Sequence, residues 1–300
     1  MTENLKGILA ILTGSAAFVI NDAIVKLMTA ELPSGEIIVV RGALATLLLA
    51  VSVLALGAWR PLSVLATPMM ATRLLAAAAA TVFIVLSLRY APLATVNTVL
   101  QVTPLLVTAG AAMFYGEHVG WQRWLAAVTG FLGVLLIVQP GNAELGAAAF
   151  VVLTALAFTT MRDLTTRGLE RGIPSIFVAA ASTAVVTLGG FLVAAFDSPW
   201  TMPTSEAWAW LWVSAVCQLV ANTVVIYALR TGEIAVVAPF RYVAAPLSIL
   251  IGYWWWDDIP DALAWAGIGL VIAAGLYTLH RERHGLTLRA VPVAQRSPGE

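Results

Sequence analysis

The sequence predicts an all-α polytopic membrane protein whose ten transmembrane helices form two inverted five-helix repeats around a central cavity. Three observations carry this prediction. The 300 residues are 60% apolar and only 11% charged, with a mean hydropathy of +0.91. A soluble domain runs near about 45–50% apolar and about 25% charged, so this chain has too little polar surface to coat a globule. Apolar runs of spanning length follow one another from end to end, and the chain laid on itself with a shift of 141 brings charged and turn residues into register.

A bilayer-spanning helix takes about 20 apolar residues, and short segments rich in Gly, Pro and charge separate such runs here. The ten spans run from Gly7 to Met28, Gly35 to Leu56, Met70 to Leu88, Leu93 to Phe114, and Trp121 to Val138 in the first half. In the second half they run from Leu145 to Met161, Ile173 to Phe196, Ala207 to Leu229, Ile234 to Trp256, and Asp261 to Leu279. Residues 7–138 and 145–279 are the two repeats, and 280–300 form a polar, basic tail without periodicity, expected to be disordered. No room remains for a separate soluble domain. Gly14, Ser15, Ala16 and Ala17 are small enough for a signal-peptide processing site. Asn21 and Asp22 lie deep in that run, however, and the repeat requires the helix, so it is read as a retained span.

Basic residues stay on the cytoplasmic side of a membrane. With both termini inside, the inner segments hold Lys6, Arg60, Arg73, Arg123, Arg162, Arg167, Arg171, Arg230 and the arginines of the tail, and the outer segments hold only Lys26 and Arg89. Trp200, Trp208, Trp210, Trp212 and Trp254 to Trp256 gather at the outer boundary, where indoles prefer to sit. The chain is therefore expected as a multi-pass protein of the inner (plasma) membrane with cytoplasmic termini.

Under the 141-residue shift Asp22 meets Asp163, Lys26 meets Arg167, and Pro33-Ser34 meets Pro174-Ser175. Leu88-Arg89 meets Leu229-Arg230, Ala94 meets Ala235, and Glu117 meets Asp258. Five spans per half is an odd number, so the second copy threads the membrane in the opposite direction. Inverted repeats place two nearly equivalent structures face to face across the midplane, the geometry of alternating access. A duplication that merely built a stable bundle is the bland alternative.

These residues resemble the ten-helix drug/metabolite transporter superfamily, specifically its EamA-type branch. The resemblance rests on Asn21, Asp22 and Lys26, the Pro33 turn, Arg41, the Leu88-Arg89 and Leu229-Arg230 pairs, the Pro104 and Pro246 helices, the Glu117 and Asp258 turns, and Gly133 and Gly275 in the closing spans. It covers nearly the whole chain from Gly7 to Leu279. It implies two inverted five-helix repeats around a central cavity and transport of amino acids, metabolites or drugs, with solute and direction left open.

Several functions are excluded early. Zero net charge argues against a nucleic-acid partner. Cys217 is the one cysteine, so no intramolecular disulfide or thiolate cluster forms, and His118, His280 and His284 fall in connections or the tail. Neither a metal nor a cofactor is expected. No Walker phosphate loop is present, which leaves proton coupling or facilitated exchange.

A polar side chain at membrane depth costs a few kcal/mol unless it is paired or faces a wet cavity, so each is a functional candidate. Asn21 and Asp22 lie in the outer third of the first span. Lys26 stands one turn further out, in the favourable order for an Asp22–Lys26 pair. Arg41 lies two turns into the second span, where it either binds a carboxylate or snorkels outward. Asn97 and Gln101 share a face of the fourth span ahead of Pro104, and Gln218 and Asn222 repeat that spacing in the eighth. Either pair lines a cavity or bridges helices.

The ninth span carries Pro239, Arg241, Tyr242 and Pro246. Arg241 is the sharpest candidate, a permanent cation two turns into an apolar helix, suited to an anionic group of the solute. Pro104, Pro239 and Pro246 are candidate hinges. Gly130, Gly133, Gly267, Gly269 and Gly275 give the fifth and tenth spans small-residue stripes, read as close packing at the periphery or a homodimer contact.

The leading expectation is a secondary active or facilitative transporter, exporting an amino acid or related small polar or amphipathic metabolite by alternating access. An importer of a cofactor-like metabolite such as S-adenosylmethionine or riboflavin is the alternative. A membrane-embedded lipid-modifying enzyme is remote, since its acids would have to be Asp257, Asp258 and Asp261, which solvation in a turn explains. The partners expected are a small-molecule solute and the bilayer.

Overall fold

The computed structural model describes residues 3–116, 120–139, 146–169, 172–231 and 237–289. Their regular structure is entirely helical. In chain order it comprises α1 (Glu3–Met28), α2 (Ser34–Ala55), a 3-10 turn (Leu62–Ala66), α3 (Pro68–Tyr90), α4 (Leu93–Leu100), α5 (Thr103–Tyr115) and α6 (Trp121–Val138). There follow α7 (Gly146–Arg167), α8 (Ser175–Ala194), α9 (Ser205–Thr231), a 3-10 segment (Ala238–Val243), α10 (Ala244–Trp256) and α11 (Ala262–Arg289). Eight stretches, counting α4 and α5 as one, are long and apolar enough to cross a membrane, and Ala262–Thr278 is a shorter apolar helix. The chain is a polytopic membrane protein.

Local chemistry sets the helix limits. Pro33, Pro92 and Pro174 stand immediately before α2, α4 and α8, and Pro68 opens α3. Proline is tolerated at a helix start because the first N–H groups have no intrahelical partner. At the far ends of α5 and α10, Gly116 (φ +66°) and Asp257 (φ +55°) adopt the left-handed conformation that stops a helix. These two residues stand 141 apart, as do the starts of α2 and α8, α5 and α10, and α6 and α11.

Consecutive helices reverse direction, so their ends collect at two faces. At the face carrying the N-terminal end of α1, the Arg60 guanidinium donates to the Gly172 carbonyl (3.5 Å) and the Tyr115 hydroxyl to the Leu164 carbonyl (3.1 Å). At the opposite face Asp197 accepts from the Gly35 N–H (3.1 Å) and Glu36 from the Thr201 N–H (3.0 Å). The most extensive helix contacts all join the first half of the chain to the second: α1 with α9, α2 with α8, α3 with α7, and α6 with α11. Exchanging the halves turns the first of these pairs into the third and leaves the other two unchanged. Met28, Ile37, Ile38, Leu88 and Leu93 anchor the largest apolar cluster, towards the opposite face.

Small residues let backbones approach closely, which is how helices pack in lipid. A Cβ on Gly35 would lie 2.5 Å from the Ala194 Cα, and one on Gly133 would lie 2.8 Å from the Gly267 carbonyl oxygen. The glycine stripes of the fifth and tenth spans are therefore used against each other inside the chain, while Gly269 has open space before it.

Three sequence expectations change. The fourth span is broken: α4 ends at Leu100, and Gln101 and Val102 form a tight turn in which their N–H groups bond the Thr98 and Val99 carbonyls (both 3.1 Å). Pro104 lacks the N–H that would continue the ladder at this point. The ninth span opens in residues outside the described ones and passes through a 3-10 segment over the Pro239 position before α10. The last helix runs on to Arg289, so residues 280–289, expected to be disordered, are helical. Leu286, Leu288 and the arginines are good helix formers, and no proline intervenes before Pro292.

Candidate functional site

Between the halves lies a cavity of about 880 Å³, walled by residues of α1, α2, α3, α7, α8, α9 and the breaks at Gln101 and Arg241. That volume is in the range of small-molecule sites. Its wall reaches Leu169 and Ile173 at the ends of α7 and α8 and stops at Val25 and Leu88 near the opposite face. Among the described residues the cavity therefore opens towards the face of the N-terminus.

The closed end has a polar seal. Lys26 Nζ stands 3.5 Å from Asp258 Oδ2, donates to the Ala91 carbonyl (2.8 Å) and lies 5.2 Å from the Trp256 ring. The predicted Asp22–Lys26 pair is not made. Lys26 instead ties α1 to the turn after α10, because the α1 surface around it is covered by the second half.

Just inside this seal, Asn21 organises a buried cluster. Its Oδ1 accepts from the Arg41 guanidinium (3.2 Å) and from the Ser214 hydroxyl (2.7 Å), and its amide donates to Asp22 (3.0 Å). Asn21 is 1% exposed, Ser214 0% and Arg41 9%. Arg41 thus turns inward and does not snorkel. It lies within electrostatic reach of Asp22, beyond ion-pair distance among the described residues, and Asn97 also interacts with that carboxylate.

At the open end a second cluster forms from residues the sequence assigned to boundaries or passed over. Arg73 donates to Thr166 (2.9 Å) and to Ser182, while Arg162 pairs with Asp163 (2.8 Å). The two clusters correspond under the 141-residue shift, with an exchange. Asp22 matches Asp163, Arg41 matches Ser182, and Ser214 matches Arg73. Each cluster holds one aspartate and an arginine bonded to neutral side-chain oxygens, Arg41 in one and Arg73 in the other, and these two arginines come from non-equivalent helices; the second cluster adds Arg162 on Asp163.

Between them, Gln101 donates to the Arg241 carbonyl (2.9 Å) and so joins the two helix breaks. Asn97, Gln101, Pro104, Gln218, Asn222 and Arg241 all line the cavity, and the Asn222 amide donates to the Gln218 carbonyl (2.8 Å). The Arg241 side chain is exposed there. The Thr103 and Thr159 hydroxyls line the same wall, are buried and have no hydrogen-bond partner among the described residues.

Two sequence candidates fall elsewhere. Tyr242 is not part of the wall, and its hydroxyl lies against Gly275 of α11, where a Cβ would overlap it. Pro246 is exposed and also lies off the wall, and the Pro239 side chain is outside the described residues. Arg73, Asp163, Ser182 and Ser214 were missed as site residues. Carrying Asp22 and Arg41 across the 141-residue shift is the signal that finds Asp163 and Ser182, whereas Arg73 and Ser214 correspond only to each other. Asp163, lining the open end, also means that Asp22 is not the sole carboxylate within the cavity.

Residues 5–139 match the EamA-like transporter family. Among curated proteins the chain is 29% identical to a riboflavin transporter of Rhizobium johnstonii over 60% of this chain and 59% of that one. It is 24% identical to an S-adenosylmethionine uptake transporter of Rickettsia bellii over 67% of this chain and 68% of the other. It is 27% identical to the pseudopaline exporter CntI of Pseudomonas aeruginosa over 93% of this chain and 97% of that one. A crystal structure with 18% identity superimposes with a TM-score of 0.63 over 94% of this chain and 98% of its own, which bears on the fold alone.

Proposed function

We propose that the chain is a transporter and not an enzyme, of the EamA type within the drug/metabolite transporter superfamily, as the match of residues 5–139 and the transporter relatives support, and that it moves a small polar metabolite across the inner membrane by alternating access. In this reading residues 7–138 and 145–279 are inverted repeats, both termini are cytoplasmic, and the cavity is the solute site in its cytoplasm-open state. The single observation that carries it is a polar cavity shared by both halves, open at one face and sealed at the other. The recurrence of helix limits at a separation of 141 supports two repeats, because an exchange of their roles generates the opposite open state from the same contacts.

Asn21, Asp22, Arg41, Asn97, Gln101, Gln218, Asn222 and Arg241 bind the solute in this reading, with Arg73, Asp163, Ser182, Thr103 and Thr159 added from the wall. Tyr242 acts from behind it by fixing α11. Export is favoured, since the relative matched over nearly the whole chain is an exporter, and import of a cofactor-like metabolite is the second reading, supported by the two shorter matches. A homodimer would use faces other than the packed Gly133–Gly267 contact.

The test is exchange in proteoliposomes loaded with mixed amino acids and related metabolites, with mass spectrometry of the released fraction. Solute-specific release that Arg41→Gln reduces at least about tenfold is expected, as the loss of about 1.4 kcal/mol of solute stabilisation requires. Release equal to empty liposomes for every solute class overturns the reading. Asp22→Asn resolves the coupling: exchange retained without pH dependence supports Asp22 as a proton carrier, and unchanged pH dependence removes that role.

A further inference from the structure

We infer that the solute held in this cavity is an anion with at least two acidic groups. The inference deepens the transport reading and rests on it. Among the described residues the wall carries four guanidinium groups, Arg41, Arg73, Arg162 and Arg241, and two carboxylates, Asp22 and Asp163, and no lysine, glutamate or histidine. The chain as a whole has zero net charge, whereas the described residues of this wall carry two positive charges in excess.

The hydrogen bonds sharpen this count. Only Arg162 is ion-paired, to Asp163, among the described residues of the wall. Arg41 is hydrogen-bonded by a neutral amide and Arg73 by hydroxyls, so neither makes an ion pair among the described residues. Asp22 offsets Arg41 at longer range, and Asp163 is shared between Arg162 and Arg73, so one of the two excess charges lies in the Arg73 cluster and the other is Arg241. The first half supplies arginine at 41 and 73, where the second half has Ser182 and Ser214, and Arg241 stands where the first half has Leu100. The cations are thus additions to the repeat and not part of its shared scaffold.

They occupy three levels. With about 1.5 Å of rise per residue, Arg41 lies roughly 10 Å below the closed end of α2 and Arg73 roughly 8 Å above the open end of α3. Arg241, bonded through its carbonyl to Gln101, stands between them. Uncompensated cations at membrane depth are costly unless an anion joins them, and a low-dielectric cleft lined with one sign of charge concentrates the opposite sign. A solute with one acidic group leaves one of the two excess cations bare. A solute with two neutralises both and travels through the wall as part of a neutral complex. A cationic cargo meets repulsion at every level.

The test reads the cavity's charge without knowing the solute. Gln218→Cys is made with Cys217→Ser in the full chain, purified in detergent. Its modification rates by an anionic thiol reagent, sulfonatoethyl methanethiosulfonate, and by the cationic trimethylammonium analogue are each divided by the rate with free mercaptoethanol. A normalised preference for the anionic reagent of about tenfold or more is expected. Arg73→Gln and Arg241→Gln should each reduce it at least about threefold, consistent with loss of one focusing charge. Thr183→Cys, on the facing wall, replaces Gln218→Cys if that variant does not fold. A normalised ratio at or below one, or no reaction in native protein at either position, overturns the inference. Intact exchange in proteoliposomes with a ratio at or below one removes this inference alone. A strong anion preference with no exchange of any solute counts against the transport reading instead.

Discussion

Asn21 shows how one neutral side chain fixes a charged site. Its Oδ1 is shared by the Arg41 guanidinium and the Ser214 hydroxyl, all three buried. Removing the acceptor strands two donors, whereas removing Ser214 strands none. Asn21→Ala should therefore cost about 1–2 kcal/mol, and Ser214→Ala about 0.5 kcal/mol, as bounded by buried-donor penalties and by the weaker average inside membranes. Unfolding by titrated denaturing detergent reads both, and a Ser214→Ala cost equal to or above that of Asn21→Ala contradicts the hub. At the membrane edge, Asp261 caps α11 by accepting from the Ala264 N–H (2.7 Å) and from the Gln139 amide (2.7 Å). These bonds, the Ala264 one foremost, hold its carboxyl below the usual carboxylate range. A depressed folded-state value means that the cap's contribution is full above the ordinary pKa of about 3.9 and is lost as pH falls through the depressed one. Asp261→Ala should cost about 0.5–2 kcal/mol at neutral pH, with a thermal-melt difference that closes in acid. A difference that grows in acid refutes the cap. Amides and charges at depth, such as Asn21, Arg41 and Gln218, were legible in the sequence because burial makes them costly. Ser182, Ser214 and Thr166 were not, since a helical hydroxyl bonds its own i−4 carbonyl and then fits any face. Arg73 was read as a boundary cation because it lies close to the start of its helix.

The helices divide into rigid and interrupted ones. The α6–α11 contact is rigid: Gly133 and Gly267 meet backbone to backbone. Gly133→Leu should separate that pair and cost roughly 2–4 kcal/mol, in the manner of overpacked cores, read as early melting in fluorescence size-exclusion. Gly269→Leu, with open space before it, should melt as the parent does, and equal losses from both contradict the packing. The interrupted elements are α4–α5 and the 3-10 segment leading into α10, joined by the Gln101–Arg241 bond. Pro104→Ala restores the missing donor and should favour a straight helix, leaving the melting temperature within a few degrees while exchange slows several-fold. Unchanged exchange removes the break from the mechanism. Span positions followed from apolar length, and the prolines at helix starts were visible too. Pro104 marked this stretch as a candidate hinge, but the turn itself at Gln101 and Val102 was not visible, because a proline at the second position of a helix is ordinary and does not say where the preceding helix stops. The continuation of α11 to Arg289 was hidden for the opposite reason, since polar composition does not by itself stop a helix, and the arginine and leucine positions offset Gly285 and Thr287 there.

For the whole molecule, the pairing of α1 with α9, α3 with α7, α2 with α8 and α6 with α11 places the cavity along the seam between the halves. The 141-residue register read in the sequence also recurs in the helix limits. The seam's state was not legible: Asp22 and Lys26 read as partners in sequence, yet Lys26 closes the opposite face through Asp258, Ala91 and Trp256. If transport alternates access through this seam, the closed face has to open in every cycle. The most direct measurement is therefore exchange by Lys26→Cys/Asp258→Cys in the Cys217→Ser background, before and after bridging the two thiols with a short bifunctional methanethiosulfonate, and again after reduction. Exchange should be present before bridging, abolished by it and restored by reductant. Exchange that continues at an unchanged rate with the bridge complete would contradict alternating access through this cavity.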